Sequence, residues 1–230
     1  MSLVSWFFVT GDIMKHLHHV VILWILCVFL VGYTVGGTGG IQSDGSITSG
    51  TLTECIMLEA DWINCKTVGG CSITDEAGDN FDYTTADFAT DADDQGDWTF
   101  GVPDNIAGTT FTVQIYWTSN EAACDTENPA DTVCWVVSSV GKFIFANWDA
   151  ANTSGAQGVD DVCDGEGLLN VADMPDPITH AWSPNQRAVV RVIRDVDASH
   201  ADCDVDTYVG SANILHMKVC YEVNNVFSGE

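Results

Sequence analysis

Across 230 residues, 33 aspartates and glutamates face only 7 lysines and arginines, for a formal net charge of −26. So acidic a chain has no basic face for a phosphate backbone, which excludes nucleic-acid binding, and it is repelled by anionic lipid surfaces. The 46% apolar content is enough for a substantial core, and the length suits one all-β domain behind a leader.

The first feature along the chain is the apolar run Val20–Val35, preceded by Met14, Lys15, His16, His18 and His19. A basic start, an apolar stretch of roughly 7–15 residues and small residues at the cut make a secretory signal. Gly36, Gly37, Gly39 and Gly40 supply the small residues. The expectation is a cleaved signal peptide over residues 1–36, with the true start at Met14. The rival is a retained anchor. A spanning helix needs about 20 apolar residues, and this run is shorter, so membrane attachment follows only if the leader is kept. Leu26 before Cys27 is too large for lipoprotein processing. The body is therefore expected to be secreted, at a cell surface or in a virion.

Residues 37–50, GTGGIQSDGSITSG, read as a flexible arm. Residues 51–230 then form a single domain whose apolar period is two. Phe111, Val113, Ile115 and Trp117 share one face of Thr110–Thr118. Val133, Trp135 and Val137 share one face of Thr132–Ser138, and Leu215, Met217, Val219, Tyr221 and Val223 one face of Ile214–Val223. Such alternation predicts half-buried antiparallel strands. Further strands are expected at Thr51–Leu58, Asp97–Phe100, Lys142–Ala146, Leu168–Ala172 and Ala188–Arg194. Many strands joined by Gly, Asp and Asn turns predict an antiparallel β-sandwich of jelly-roll type.

Nine cysteines, less Cys27 in the leader, leave eight, which in an exported chain reads as four disulfides. Loop brackets and strand order suggest Cys55–Cys220, Cys65–Cys71, Cys124–Cys134 and Cys163–Cys203. No C-x-x-C pair or H-x-x-x-H supports zinc.

The acidic residues cluster at Asp91, Asp93, Asp94 and Asp97; at Asp160, Asp161, Asp164 and Glu166; and at Asp195, Asp197, Asp202, Asp204 and Asp206. A solvated surface suited to salt, calcium sites, and a cationic partner are three readings that stay open. The calcium reading places the ion at Asp160, Asp161, Asp164, Asp202, Asp204 and Asp206. An EF-hand is rejected: Asp91, Asp93 and Gly96 fit its start, but Val102 stands where the bidentate glutamate belongs.

The order WTFGVP (Trp98–Pro103), FTVQIYWTS (Phe111–Ser119), DTVCWVV (Asp131–Val137), VRVIRD (Val190–Asp195) and DTYVGSANILHMKVCYE (Asp206–Glu222) resembles β-sandwich domains of virion structural proteins of bacterial viruses, of tail, fibre or decoration type. The resemblance covers about residues 98–223 and implies a non-enzymatic assembly or attachment module. The export leader and the cysteines depart from that family, whose members assemble in a bacterial cytoplasm.

No catalytic constellation is present. There is no G-x-S-x-G elbow, no phosphate-binding glycine loop and no dinucleotide fingerprint. Two tryptophans outside clean alternation, Trp148 and Trp182, are candidates for a ligand or subunit contact, and Asn152 heads a glycosylation sequon. The sequence therefore predicts a structural subunit of an extracellular appendage, surface layer or virion. It would form a homo-oligomer or polymer by strand exchange through its N-terminal arm, and would need no cofactor. The alternative is a secreted calcium-dependent carbohydrate-binding or adhesion module.

Overall fold

The computed structural model describes residues 50–78, 80–119, 124, 131–143 and 155–225. The expected leader with Met14, the arm up to residue 49, Trp148, Asn152 and residues 144–146 of the expected strand Lys142–Ala146 lie outside the described residues. The strands are β1 (Gly50–Glu59), β2 (Asn64–Cys65), β3 (Ser72–Glu76), β4 (Tyr83–Phe88), β5 (Asp94–Gly101) and β6 (Ile106–Ser119), then β7 (Thr132–Lys142), β8 (Gln157–Val162), β9 (Asn170–Asp173), β10 (Ile178–Thr179), β11 (Arg187–Arg194) and β12 (Ala212–Asn225). A 3₁₀ turn at Ala60–Trp62 is the one helical element among the described residues. The fold is all-β, as expected.

Two antiparallel sheets face each other. In the first, β12 runs beside β6 on one side, with β1 and β4 sharing its other side, and β3 lies outside β4; β9 and β10 pair with the far side of β6. The second has the order β2-β5-β11-β7-β8. Four pairs nest inside one another along the chain: β4–β12, β5–β11, β6–β9 and β7–β8. The long partners β6 and β12 have fourteen residues each. Their register slips between Tyr221 and Glu222, opposite Phe111 and Ala107. There Gly108 takes φ +69, which glycine adopts without Cβ strain.

Period-two alternation places the core where the sequence predicts it. Phe111, Val113, Ile115 and Trp117 of β6, and Met217, Val219, Tyr221 and Val223 of β12, meet Trp98, Trp135, Val137, Val190 and Val192 of the other sheet. Leu215, expected on that face of β12, is displaced from it by the bulge between Ile214 and His216, and Ile214 is buried in its place. Trp117 meets Trp135 edge-on at 6.0 Å between centroids, and Phe88 meets Trp135 at 5.4 Å. Each such ring buries on the order of 150–250 Å². Two indole N–H groups cross between the sheets. Trp98 donates to the Glu59 carbonyl at 2.8 Å, and Trp117 donates to Asp161 at 2.6 Å.

Five strands are absent from the sequence prediction: the two-residue β2 and β10, and β3, β4 and β8, which are rich in Thr and Asp. Side chains as well as backbone join β3 to β4: Thr74 and Thr85 both donate to Asp87, and Thr84 donates to Asp75. The expected strand Leu168–Ala172 begins instead at Asn170, leaving Leu168 and Leu169 exposed in the preceding turn. β7 is buried on both faces, not one, because the segment after β11 folds over its outer side. Cys134, Val136 and Cys203 make a small second core there.

The cysteines pair as Cys55–Cys220, Cys65–Cys71, Cys124–Cys163 and Cys134–Cys203. The last two replace the expected Cys124–Cys134 and Cys163–Cys203. Proximity along the chain suggested those pairs, but the sandwich brings Cys163, just after β8, to Cys124. It also lays Cys203 on the outer face of β7. Restricting the unfolded chain in this way stabilises by about 2–4 kcal/mol per long bridge.

The most deeply buried charge is Arg194, at 0% exposure, paired with Asp206 at 2.9 Å. Its five N–H groups are all used: two on Asp206, and the rest on the carbonyls of Phe88, Gly210 and Tyr208. The guanidinium also lies 5.5 Å from the Tyr208 ring centroid. Arg194→Ala is expected to cost about 3–5 kcal/mol in urea unfolding, because Asp206 is left charged and dry. Arg194→Met combined with Asp206→Leu should recover part of that loss.

Candidate functional site

The acidic loops use their carboxylates mainly on their own backbone. Asp195 accepts from the His200 N–H at 2.7 Å and from the Ser199 N–H at 3.2 Å. Asp93 accepts from Val196, Asp202 from Gly158 and Asp160 from Asp204. A carboxylate only accepts, so a ring of N–H donors offsets its charge within the loop. Burial pushes the Asp195 carboxyl up, but the N–H groups of His200 and Ser199 outweigh it and hold the group below the usual carboxylate range. Asp93 goes the other way. Burial raises it, and the charges of Asp197 and Asp195 add to that against the Val196 N–H.

Among the described residues, no three of the six aspartates expected to hold calcium bring carboxylate oxygens within 4.8 Å of one another. Asp206 is committed to Arg194. Asp161 receives the Trp117 indole, and burial raises its carboxyl. Asp160 lies beside Cys134 and Cys203, whose sulfurs are joined to each other and are not metal ligands. Asp202 sits 3.7 Å from His200 Nδ1, while Asp164 and Asp204 are exposed. The structure instead brings together Asp93, Asp195 and Asp197, with one oxygen of each lying within 4.8 Å of the others. Asp93 comes from the turn before β5 and the other two from the segment after β11, so no local spacing announces the trio. Three carboxylates suit a hard cation but supply only part of the roughly six to eight oxygens that calcium takes.

Trp182 is not at a surface. It is 6% exposed, stacked on Phe111 at 4.7 Å and on His180 at 4.3 Å, with Phe100 edge-on at 5.3 Å. This corrects the expectation of a ligand or subunit contact at that residue: the segment Ala181–Ser183 carries it into the sandwich between β5 and β6. Beside it, His180 Nδ1 accepts the Trp182 N–H at 3.1 Å, and burial lowers the imidazole's pKa. Among the described residues, the tryptophan that does meet solvent is Trp62, at 63% exposure.

Asp61, next to Trp62 in the chain, lines a cleft that combines carboxylates with rings. β4 pairs with β12 only over Ala212–Ile214, and β1 pairs with it from His216 onward. Leu215 bulges between the two registers. The break opens a cleft of about 360 Å³ lined by Glu59, Asp61, Asp82, Tyr83, Thr84 and His216, with Ala60 and Leu215. His216 is held by the Tyr116 ring directly opposite it, 4.4 Å between centroids. The Trp98 indole anchors the Glu59 carbonyl at the corner where β1 enters the 3₁₀ turn.

A third feature is the outer edge of β1, which among the described residues pairs only with β12. Cys55 and Cys220 sit directly opposite, with Cα atoms 4.0 Å apart. That short spacing marks a non-hydrogen-bonded pair. Thr51, Thr53, Cys55, Met57 and Glu59 therefore point their N–H and C=O groups away from β12.

Two electrostatic predictions follow from this geometry. Asp93 is costly to ionise in the folded state, so Asp93→Asn should raise the urea midpoint at neutral pH and low salt. The gain should shrink in added sodium chloride and vanish as the pH falls below the ordinary carboxylate range, where the wild-type group is protonated. His180 titrates below its ordinary 6.5, so the unfolded chain takes up its proton first. Its contribution is complete above that pH and is lost as the pH falls. The urea midpoint should drop more steeply for wild type than for His180→Phe between about pH 7 and pH 5.

No protein-family model matches the chain, and no curated protein matches it.

Proposed function

We propose that this chain is a non-enzymatic structural subunit of an extracellular assembly, an appendage, surface layer or virion, built on a jelly roll. The jelly-roll reading is supported by the four nested antiparallel pairs, β4–β12, β5–β11, β6–β9 and β7–β8. Such nesting is what results when an eight-stranded hairpin wraps into two sheets, an architecture common to coat and lectin domains. Export is supported by the four disulfides, which persist in oxidising compartments.

The observation that carries the assembly reading is the open edge of β1. Ten residues long, it offers main-chain donors and acceptors to an added strand. Thr51–Leu58 is already paired with β12 and bonded to it through Cys55, so it is not the exchanged element. β1 is the acceptor, and the donor is the arm, residues 37–49, of a neighbouring copy. Leu52, Ile56 and Leu58 lie on the inward face of β1, with Glu54 among them opposite Tyr221. Burial, and then the Glu54 charge, push the Tyr221 hydroxyl up. An inward charge on an edge strand deters indiscriminate pairing. The arm answers it: Ile41 and Ile47 are separated like Leu52 and Leu58, with Ser43 and Gly45 between them as small partners for Glu54.

The alternative, a calcium-dependent adhesion module, is favoured by the Asp93, Asp195 and Asp197 trio alone. Electron microscopy of the unreduced exported protein separates the two: regular filaments, sheets or particles support the subunit, and dispersed domains overturn it. Thr53→Pro removes an N–H that faces away from β12, so it should abolish assembly while leaving the thermal transition nearly unchanged. Glu54→Pro removes an N–H that bonds β12 and should unfold the strand.

A further inference from the structure

We propose that the cleft between the ends of β1 and β4 is a binding site for an uncharged or amine-bearing saccharide. This goes beyond the assembly reading and does not depend on it. The cleft volume, about 360 Å³, falls in the roughly 300–1,000 Å³ range of small-ligand pockets. Its polar lining comes mainly from Glu59, Asp61, Asp82 and His216, with no lysine or arginine among the lining residues. Ionised carboxylates only accept hydrogen bonds, and the two oxygens of one carboxylate can take a pair of neighbouring donors. Vicinal sugar hydroxyls are such pairs, and an ammonium group gains charge assistance as well. Sulfated or sialylated sugars bring negative charge to a negative wall and are excluded.

Rings complete the site. Tyr83 lines the cleft, and His216 is braced by Tyr116. Next in the chain to the two cleft aspartates are Trp62 and Phe81, 63% and 72% exposed. Phe81 lies 6.0 Å from the Tyr83 ring. The Tyr83 ring, with Phe81 against it, offers flat apolar faces beside acceptor oxygens and matches the two surfaces of a pyranose, its C–H face and its hydroxyl rim. An amine on the sugar gains a further attraction to those faces. The bulge at Leu215 and the break between β1 and β4 are built into the backbone, so the cleft exists before any ligand arrives.

The test is an array of neutral, amino, sialylated and sulfated glycans probed with the full exported chain, with titration calorimetry on the strongest oligosaccharide. Signal confined to neutral or amino glycans is expected. Asp61→Asn with Asp82→Asn, and separately Phe81→Ala, should weaken binding about tenfold or more. These residues are exposed, so the thermal transition should not move. A silent array, preference for sialylated or sulfated glycans, equal binding by the variants, or binding of spermidine with no glycan bound would each overturn the site. Thr53→Pro should leave glycan binding intact, and the cleft variants should still assemble. Failure of the site is thus distinct from failure of strand addition.

Discussion

Arg194 places a full positive charge where no water reaches it, at the end of the central strand of the second sheet. Such a group is tolerated only if every donor is met, and its partners come from two separate parts of the fold. Phe88 ends β4 in the opposite sheet; Asp206, Tyr208 and Gly210 span the loop that leads into β12. The guanidinium fork therefore fixes, in one place, the separation of the sheets and the path of the acidic loop. An incorrect register or a misplaced loop would strand at least one N–H in the interior, a penalty of about 1–3 kcal/mol. The indoles of Trp98 and Trp117 apply the same constraint at two further points.

The loop so anchored explains how an acidic chain folds without matching cations. Most of its aspartates face N–H groups, not each other. Asp195, Asp202 and Asp160 each terminate a turn or bridge two segments through backbone donors. Within the Asp93, Asp195 and Asp197 trio the balance differs: burial prevails at Asp93 and raises it, whereas the His200 and Ser199 N–H groups prevail at Asp195 and lower it. Acidity here is part of loop architecture as well as of surface solvation.

The strands with alternating apolar residues, β6, β7, β11 and β12, were legible because their inward faces carry Phe, Val, Ile, Leu and Trp at every second position. β3, β4 and β8 were not, since threonine and aspartate there take their order from neighbouring strands and from each other. The pairing of Cys55 with Cys220 followed from placing first and last strands together. Cys124 and Cys134 were misjudged because nearness in sequence stood in for a loop path that only the folded sandwich defines. Trp182 broke the alternation and so resembled a surface residue; it enters the core from a loop, where no period applies. The cleft was invisible for a related reason, as Asp61, Asp82 and His216 meet only through the changeover of partners along β12.

The bond between Cys55 and Cys220 also defines a load path. Tension on the residues before Gly50 can peel Gly50–Glu54 from β12, one hydrogen-bonded pair after another, and no further. Beyond that point the pull enters β12 through a covalent link, at a residue flanked by β6 on the other side. The weakest position in most sheets, the terminal edge strand, is here coupled to the most heavily bonded one. A chain pulled by its N-terminal segment would thus yield by a few residues of slack and then resist as a whole.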